Sequence, residues 1–300
     1  MINYSFIIPH KNCPALLKRC VDSIPFRDDI QIIVVDDNSD VDKQPSFQRN
    51  DVEVIKLNAE QSKGAGRARN VGIEHAKGKW ILFADADDCY TENLVDLLEK
   101  YAKEDTIDVV YLNACVFDEN GYVGPFIIGP LINNYLAGKH YSEKNLRYGV
   151  WTPWTRMVRF EFVKEHQLWF DEIPVGNDVY FGLQCSFYAK RIKVEQNYIY
   201  QYYRLKKQKS LTREKRNENV LGIVIDLCVK KIDLYKKARY KYIPSFYALF
   251  HNSKYSQNIQ RTQRREMYHK TLKDNEVPFF VDLYRYFHIK LHSLASKITL

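Results

Sequence analysis

Asp85, Asp87 and Asp88 stand directly behind the apolar run 80–84, separated only by Ala86. Carboxylates packed there cost several kcal/mol in mutual repulsion and lost hydration unless a cation or hydrogen-bond donors compensate them. Mg²⁺ or Mn²⁺ is the natural compensation: it prefers carboxylate oxygen and needs only one or two protein ligands, leaving the rest of its shell to phosphate and water. The plainer use of these residues is a loop that caps the next helix, a task Asp88 or Thr91 could perform.

Two further polar clusters follow apolar runs. Pro9-His10-Lys11-Asn12 comes after residues 4–8, and Asp36-Asp37-Asn38-Ser39-Asp40 after residues 31–35. Gly64 and Gly66 permit close backbone approach at a helix start, where free N–H groups attract anions, and Arg67 and Arg69 can add charge-assisted bonds to phosphate. Solvated arginines on an ordinary helix turn are the alternative. Asp178 lies in a Gly-containing turn before an apolar helix, where Asn177 or Asp178 is well placed as an N-cap. Trp151 and Trp154 sit in a Pro-containing stretch and could stack on a sugar or fill the core. Arg204, Lys206, Lys207 and Lys209 form a basic loop whose mutual repulsion an anion would relieve.

The elements that must position these groups alternate along the first 120 residues. Short β-branched runs at 4–8, 31–35, 52–57, 80–84 and 108–113 are separated by segments with helical spacing at about 14–24, 65–76 and 92–103. Such alternation implies an α/β fold with a parallel, doubly wound sheet, and in such sheets ligands bind beyond the carboxyl ends of the strands, where all three acidic and polar clusters fall. Past Gly121 the alternation stops. A helix at about 177–190, a strand pair near 192–203 and two or three helices after 214 complete the chain.

Taken together, SFIIPHKN, IIVVDDNSD, GAGRARNVGIEHAKGKWILFADADD, PWTRMVRFEFVKEHQLWFDE, VGNDVYF and YIYQYYRLKKQKSLT resemble the bacterial family 2 glycosyltransferases of GT-A fold, over the first 200 residues. The resemblance implies an inverting enzyme in which Pro9 lines the nucleoside, Asp37 contacts the base, Asp85 lies near the ribose and Asp87 carries the metal, Mn²⁺ or Mg²⁺, that holds the diphosphate. Arg67 or Arg69 would flank the nucleotide of a UDP-sugar donor. The segment at 177–178 usually reads Glu-Asp or Asp-Asp in the family, and its second acid is the general base, which implies that role for Asp178; Asn177 departs from the pattern. The PWxR segment of relatives implies an acceptor-side place for Trp154. In relatives the basic loop can close over the donor phosphates, which draws in Arg204, Ser210 and Thr212. The implied acceptor is a glycan, lipid-linked, in capsule, lipopolysaccharide or exopolysaccharide synthesis.

Composition sets the outer bounds. The 300 residues, 45% hydrophobic and 14% aromatic, suffice for a large core, and the six cysteines lack any CxxC pair, so reduced thiols are expected. The net charge of +8 is unevenly spread: residues 1–200 hold 23 Lys and Arg against 29 Asp and Glu, residues 201–300 hold 22 against 8. We expect a glycosyltransferase domain over 1–212, with a nucleotide-sugar half (1–115) and an acceptor half (116–212), followed by a basic helical region over 213–300. Without a spanning run or a signal-peptide pattern the chain is expected in the cytoplasm, with the basic region able to rest on an anionic membrane surface. A nucleotidyltransferase would carry a Gly-rich, basic signature after its first strand, where this chain has PHKNCP. A nucleic-acid binder would leave the acidic clusters unexplained, so no nucleic-acid partner is expected.

Overall fold

The structure, a computed structural model, describes residues 1–204, 218–252 and 259–298, and the chain divides into two compact units, Met1–Gln208 and Lys209–Leu300. Ser210 and Thr212 lie outside the described residues.

In the first unit, β1 (Tyr4–His10), β2 (Ile30–Asp36), β3 (Val52–Lys56) and β4 (Trp80–Phe83) pair in parallel in the order β3-β2-β1-β4. Every residue of β2 and β4 is buried, as near-continuous apolar runs covered on both faces require. The crossovers carry α1 (Pro14–Asp22) and α2 (Ala65–His75). After α2 the chain runs through β4, the two-residue β5 (Cys89–Tyr90) and α3 (Leu94–Tyr101) to β6 (Val109–Asp118), which turns back as β7 (Gly121–Pro125). Helices α4 (Ile128–Leu136), α5 (Ser142–Gly149), α6 (Phe160–Glu165) and α7 (Val179–Tyr188) follow, with β8 (Arg156–Arg159) between α5 and α6 and β9 (Ile192–Tyr203) after α7.

The sheet departs from the sequence reading at its centre. β8 lies antiparallel between β4 and β6, so the nine-stranded sheet is mixed. Four residues bounded by arginines carry no strand signal of their own; backbone pairing on both sides makes them a strand. The expected strand pair near 192–203 is one twelve-residue strand, β9, whose register against β6 shifts on either side of Asn113. Because β8 opposes both β4 and β6, those two point the same way, and β9 runs parallel to β6. The carboxyl ends of β1, β2, β4 and β9 therefore meet at one edge of the sheet.

The second unit consists, among its described residues, of α8 (Glu218–Lys237), α9 (Phe246–Asn252), α10 (Arg261–Asp274) and α11 (Phe279–Ile298), around Leu221, Ile232, Phe246, Phe250, Tyr268 and Leu272. The buried carboxylate of Asp282 accepts bonds from the Phe246 and Tyr247 N–H groups and from the Ser245 and Tyr268 hydroxyls, tying α9 and α10 to α11.

Candidate active site

The acidic loop behind β4 divides its carboxylates by depth. Asp85 and Asp87 are half-buried and Asp88 is fully buried. Asp88 accepts the Tyr203 N–H at 2.7 Å and the Tyr200 hydroxyl at 2.9 Å, and that same hydroxyl accepts the Asp85 N–H at 2.9 Å. Tyr200, at the end of β9, thus fixes both ends of the acidic turn. Desolvation, and then the neighbouring charges of Asp87 and Asp85, push the Asp88 carboxyl well above the ordinary carboxylate range. Arg19, from α1, donates to the Asp87 carbonyl at 2.5 Å and stands 4.0 Å from the centroid of the Tyr203 ring, closing the turn from the other side.

The loops after β1 and β2 are laced to each other. His10 Nε2 accepts the Cys13 N–H at 3.1 Å, so Nδ1 carries the ring proton and donates it to Asp36 Oδ1 at 2.7 Å. Asp36 also accepts from Ser39, whose hydroxyl receives the Asn12 N–H at 2.8 Å, and Asn12 Oδ1 receives the Asp40 N–H at 2.8 Å. Asp36 is consumed by architecture. Asp37 is 5% exposed, with Lys11 Nζ at 3.5 Å and the Gly64 N–H at 3.3 Å. Gly64 enters α2 at φ +89°, a conformation other residues rarely adopt. A Cβ on Gly66 would lie 2.2 Å from the Asp171 carbonyl oxygen, so only glycine lets the start of α2 approach that segment.

Helix α2 also carries the link between the two halves of the site. Arg69, 5% exposed, donates through Nη2 to Asp85 Oδ1 at 2.5 Å and through Nη1 to Asn177 Oδ1 at 2.9 Å. The next residue, Asn70, exchanges two bonds with the Phe170 backbone, at 2.9 and 3.0 Å, pinning α2 to the segment that leads to Asp178. Asp178 stands at the N-terminus of α7 in helical conformation and makes no side-chain capping bond. Desolvation raises its carboxyl above the ordinary range; Arg69 opposes the shift, and Asp85 adds to it more weakly.

Asp85, Arg69, Asn177 and Asp178 thus form one cluster, with Asp87 beside it. Pro9 occupies the carboxyl end of β1, opposite Val35. Arg67 points elsewhere, pairing with Glu74 at 3.4 Å and Glu172 at 3.5 Å. Trp154 is 3% exposed, stacked on Tyr200 at 4.7 Å and Tyr202 at 5.6 Å with Phe126 at 4.7 Å, so the structure assigns it to the core beneath the acidic loop and corrects the sugar-stacking expectation. A planar indole between aromatic residues of β9 gains more from dispersion than from an exposed face. Arg204 is exposed at the end of β9, its N–H donating to the Phe117 carbonyl at 2.8 Å. Arg19, Asn70 and Tyr200 escaped sequence reasoning because each works through a partner between 68 and 115 residues away.

The carboxylates fit a hard divalent cation. Among the described residues no cluster of three or more His, Cys, Asp or Glu side chains could cage one. The half-exposed Asp87 and Asp85 supply hard oxygens.

The model of the Glycosyl transferase family 2 matches residues 5–167, more than half of the chain. The chain belongs to this family. The chain is 28% identical over 214 residues to the Bacillus subtilis glycosyltransferase EpsJ, covering 66% of this chain and 60% of that one. It is 23% identical over 200 residues to Escherichia coli WfgD, a UDP-Glc:alpha-D-GlcNAc-diphosphoundecaprenol beta-1,3-glucosyltransferase, covering 65% and 78%. The match with the Streptococcus pneumoniae glycosyltransferase GlyG, 35% identical over 121 residues, covers 39% of this chain and 40% of that one. The chain therefore spans three fifths or less of the length of EpsJ and GlyG. Among solved structures, Staphylococcus aureus TarS residues 1–349 in complex with UDP-GlcNAc superposes with a TM-score of 0.67 at 20% identity, covering 94% of this chain and 83% of that one. The chain has the α/β GT-A fold with a helical C-terminal extension.

Proposed function

We propose that the glycosyltransferase moves a sugar from a UDP-sugar to a hydroxyl of a lipid-linked glycan, with inversion, in the synthesis of a surface polysaccharide. The observation that carries this reading is the Arg69 bridge, which joins Asp85 of the proposed donor site to the Asn177-Asp178 turn of the proposed base. The activity of WfgD and the UDP-GlcNAc complex of TarS support the donor and acceptor classes.

Asp178 takes the proton of the acceptor hydroxyl as that oxygen bonds to the anomeric carbon, and the bond from that carbon to the diphosphate breaks, releasing UDP. Its raised carboxyl suits the task, because a base of higher pKa holds the proton more firmly. Asp87, with Asp85 beside it, would hold Mn²⁺ or Mg²⁺, which when bound neutralises the departing diphosphate. Pro9 and Asp37 border the nucleoside, Arg69 orients Asp85, and Arg204 stands at the end of β9 to meet phosphate. The basic region over 213–300 rests on the anionic inner face of the membrane.

A panel of nucleotide sugars, titrated with Mn²⁺, Mg²⁺ or chelator, tests the reading. Metal-dependent binding of one UDP-sugar, followed by UDP release with a diphosphate-lipid glycan acceptor, is the expected result. Absence of binding to every nucleotide sugar would overturn it.

A further inference from the structure

The face of α11 is unusual for a surface helix. Phe280, Tyr284, Phe287 and Leu291 are 81%, 67%, 51% and 66% exposed. Their spacing places them within an arc of about 60° on the helix surface, and Phe279 and Val281, 39% and 42% exposed, widen the first turn. Scattered exposed apolar residues are normal; a continuous stripe of three aromatics and a leucine marks a surface that something covers.

Charge identifies the cover. The only acidic residue of α11 is Asp282, which is 0% exposed and consumed by its bonds to Ser245, Phe246, Tyr247 and Tyr268. Among the described side chains the helix therefore shows solvent no carboxylate, while Lys290 is exposed and Arg285 half-buried. A second copy of the same face would set cations against cations with no acid on α11 to answer them. An anionic lipid surface answers both features, since its acyl boundary accepts Phe, Tyr and Leu while its headgroups attract Lys and Arg. Among the described residues no helix is long and apolar enough to cross a membrane, so α11 would lie in the plane of the interface.

We propose that the Phe280–Leu291 face of α11 is the docking surface for an anionic phospholipid bilayer. This deepens the reading of a lipid-linked acceptor and rests on it for its purpose, because the face would hold the enzyme on the surface that carries such an acceptor.

The test is sedimentation of the full chain with phosphatidylcholine vesicles, with and without phosphatidylglycerol, across a salt series. The chain should bind only the anionic vesicles, and less as salt rises. Phe280→Ser with Phe287→Ser should weaken binding by about tenfold or more. Val41→Ser, which removes an 88%-exposed apolar residue of the first unit, should leave binding unchanged. Lys290→Glu offers a second arm that leaves the apolar packing alone and should also weaken binding. Equal binding to neutral vesicles, no binding at all, or a double variant that binds as well as the parent would overturn the proposal. So would a dimer that the double variant dissociates in vesicle-free solution, which would hand the face to a second copy. UDP release measured without vesicles is independent of all these outcomes, so the docking surface and the glycosyl-transfer reading fail separately.

Discussion

Arg69 Nη2 lies 2.5 Å from Asp85 Oδ1, and the other arm of the same guanidinium reaches Asn177 Oδ1 at 2.9 Å. One buried side chain thereby fixes the distance between the acidic turn after β4 and the turn that starts α7. Lysine can keep one of these contacts but not both, because its ammonium lacks the planar fork. Arg69→Lys should retain nucleotide-sugar affinity within about threefold while turnover falls by about tenfold or more. Titration calorimetry set beside steady-state UDP release checks this; a loss of affinity with turnover intact at saturating donor would place Arg69 in donor binding alone.

Asp178→Asn should bind the donor as the parent does and lose turnover by about 10²- to 10⁴-fold. The parent's acidic limb should lie above the ordinary aspartate pKa of about 3.9, since burial raises the carboxyl. Activity then rises as pH climbs through that raised value, the direction in which the base is freed of its proton. A pH profile of kcat/KM that stays flat down to the ordinary value would remove Asp178 from the role.

Asp87→Ala should abolish the part of donor affinity that chelator abolishes in the parent, with little change in Tm, because its carboxylate is half-buried. Chelator and variant should be non-additive. Additive losses would mean that the cation sits elsewhere.

Asp88 belongs to stability. Asp88→Ala strands the Tyr200 hydroxyl and the Tyr203 N–H, at a cost of about 2–4 kcal/mol. Because its pKa is raised on folding, the folded chain holds a proton that the unfolded chain releases above pH of about 4. Its contribution to stability is therefore full below that pH and is lost as pH rises through the folded value. Urea unfolding across pH should show this slope in the parent and a reduced one in Asp88→Asn.

Trp154→Ala should destabilise the first unit by about 3–5 kcal/mol by emptying the space against Tyr200, Tyr202 and Phe126. Trp154→Phe, once folded, should leave the KM for acceptor near the parent value. A large rise in that KM with Tm unchanged would restore the stacking role.

The strands β1, β2 and β4 were legible because burial on both faces leaves their apolar runs nearly uninterrupted, and half-buried β3 because its apolar residues alternate with polar ones. Asp85 and Asp87 stood out for the same local reason, acids placed directly after a buried strand. Asn177 and Asp178 could be read only as a helix cap until the family pattern was considered, since local sequence favours capping and catalysis alike at a helix start.

Sequence by itself determined the alternation of elements, the glycines at 64 and 66, the acidic sheet edge and the charge of the final hundred residues, all of which depend on neighbours in the chain. Tertiary structure alone decided the antiparallel insertion of β8, the burial of Trp154 and the different burial and partners of Asp85, Asp87 and Asp88. It also decided that Arg69 rather than Arg67 faces Asp85. The physical reason is common to these cases: pairing, stacking and desolvation depend on groups tens of residues away, and a carboxylate's role follows from whether a tyrosine, an arginine or water reaches it.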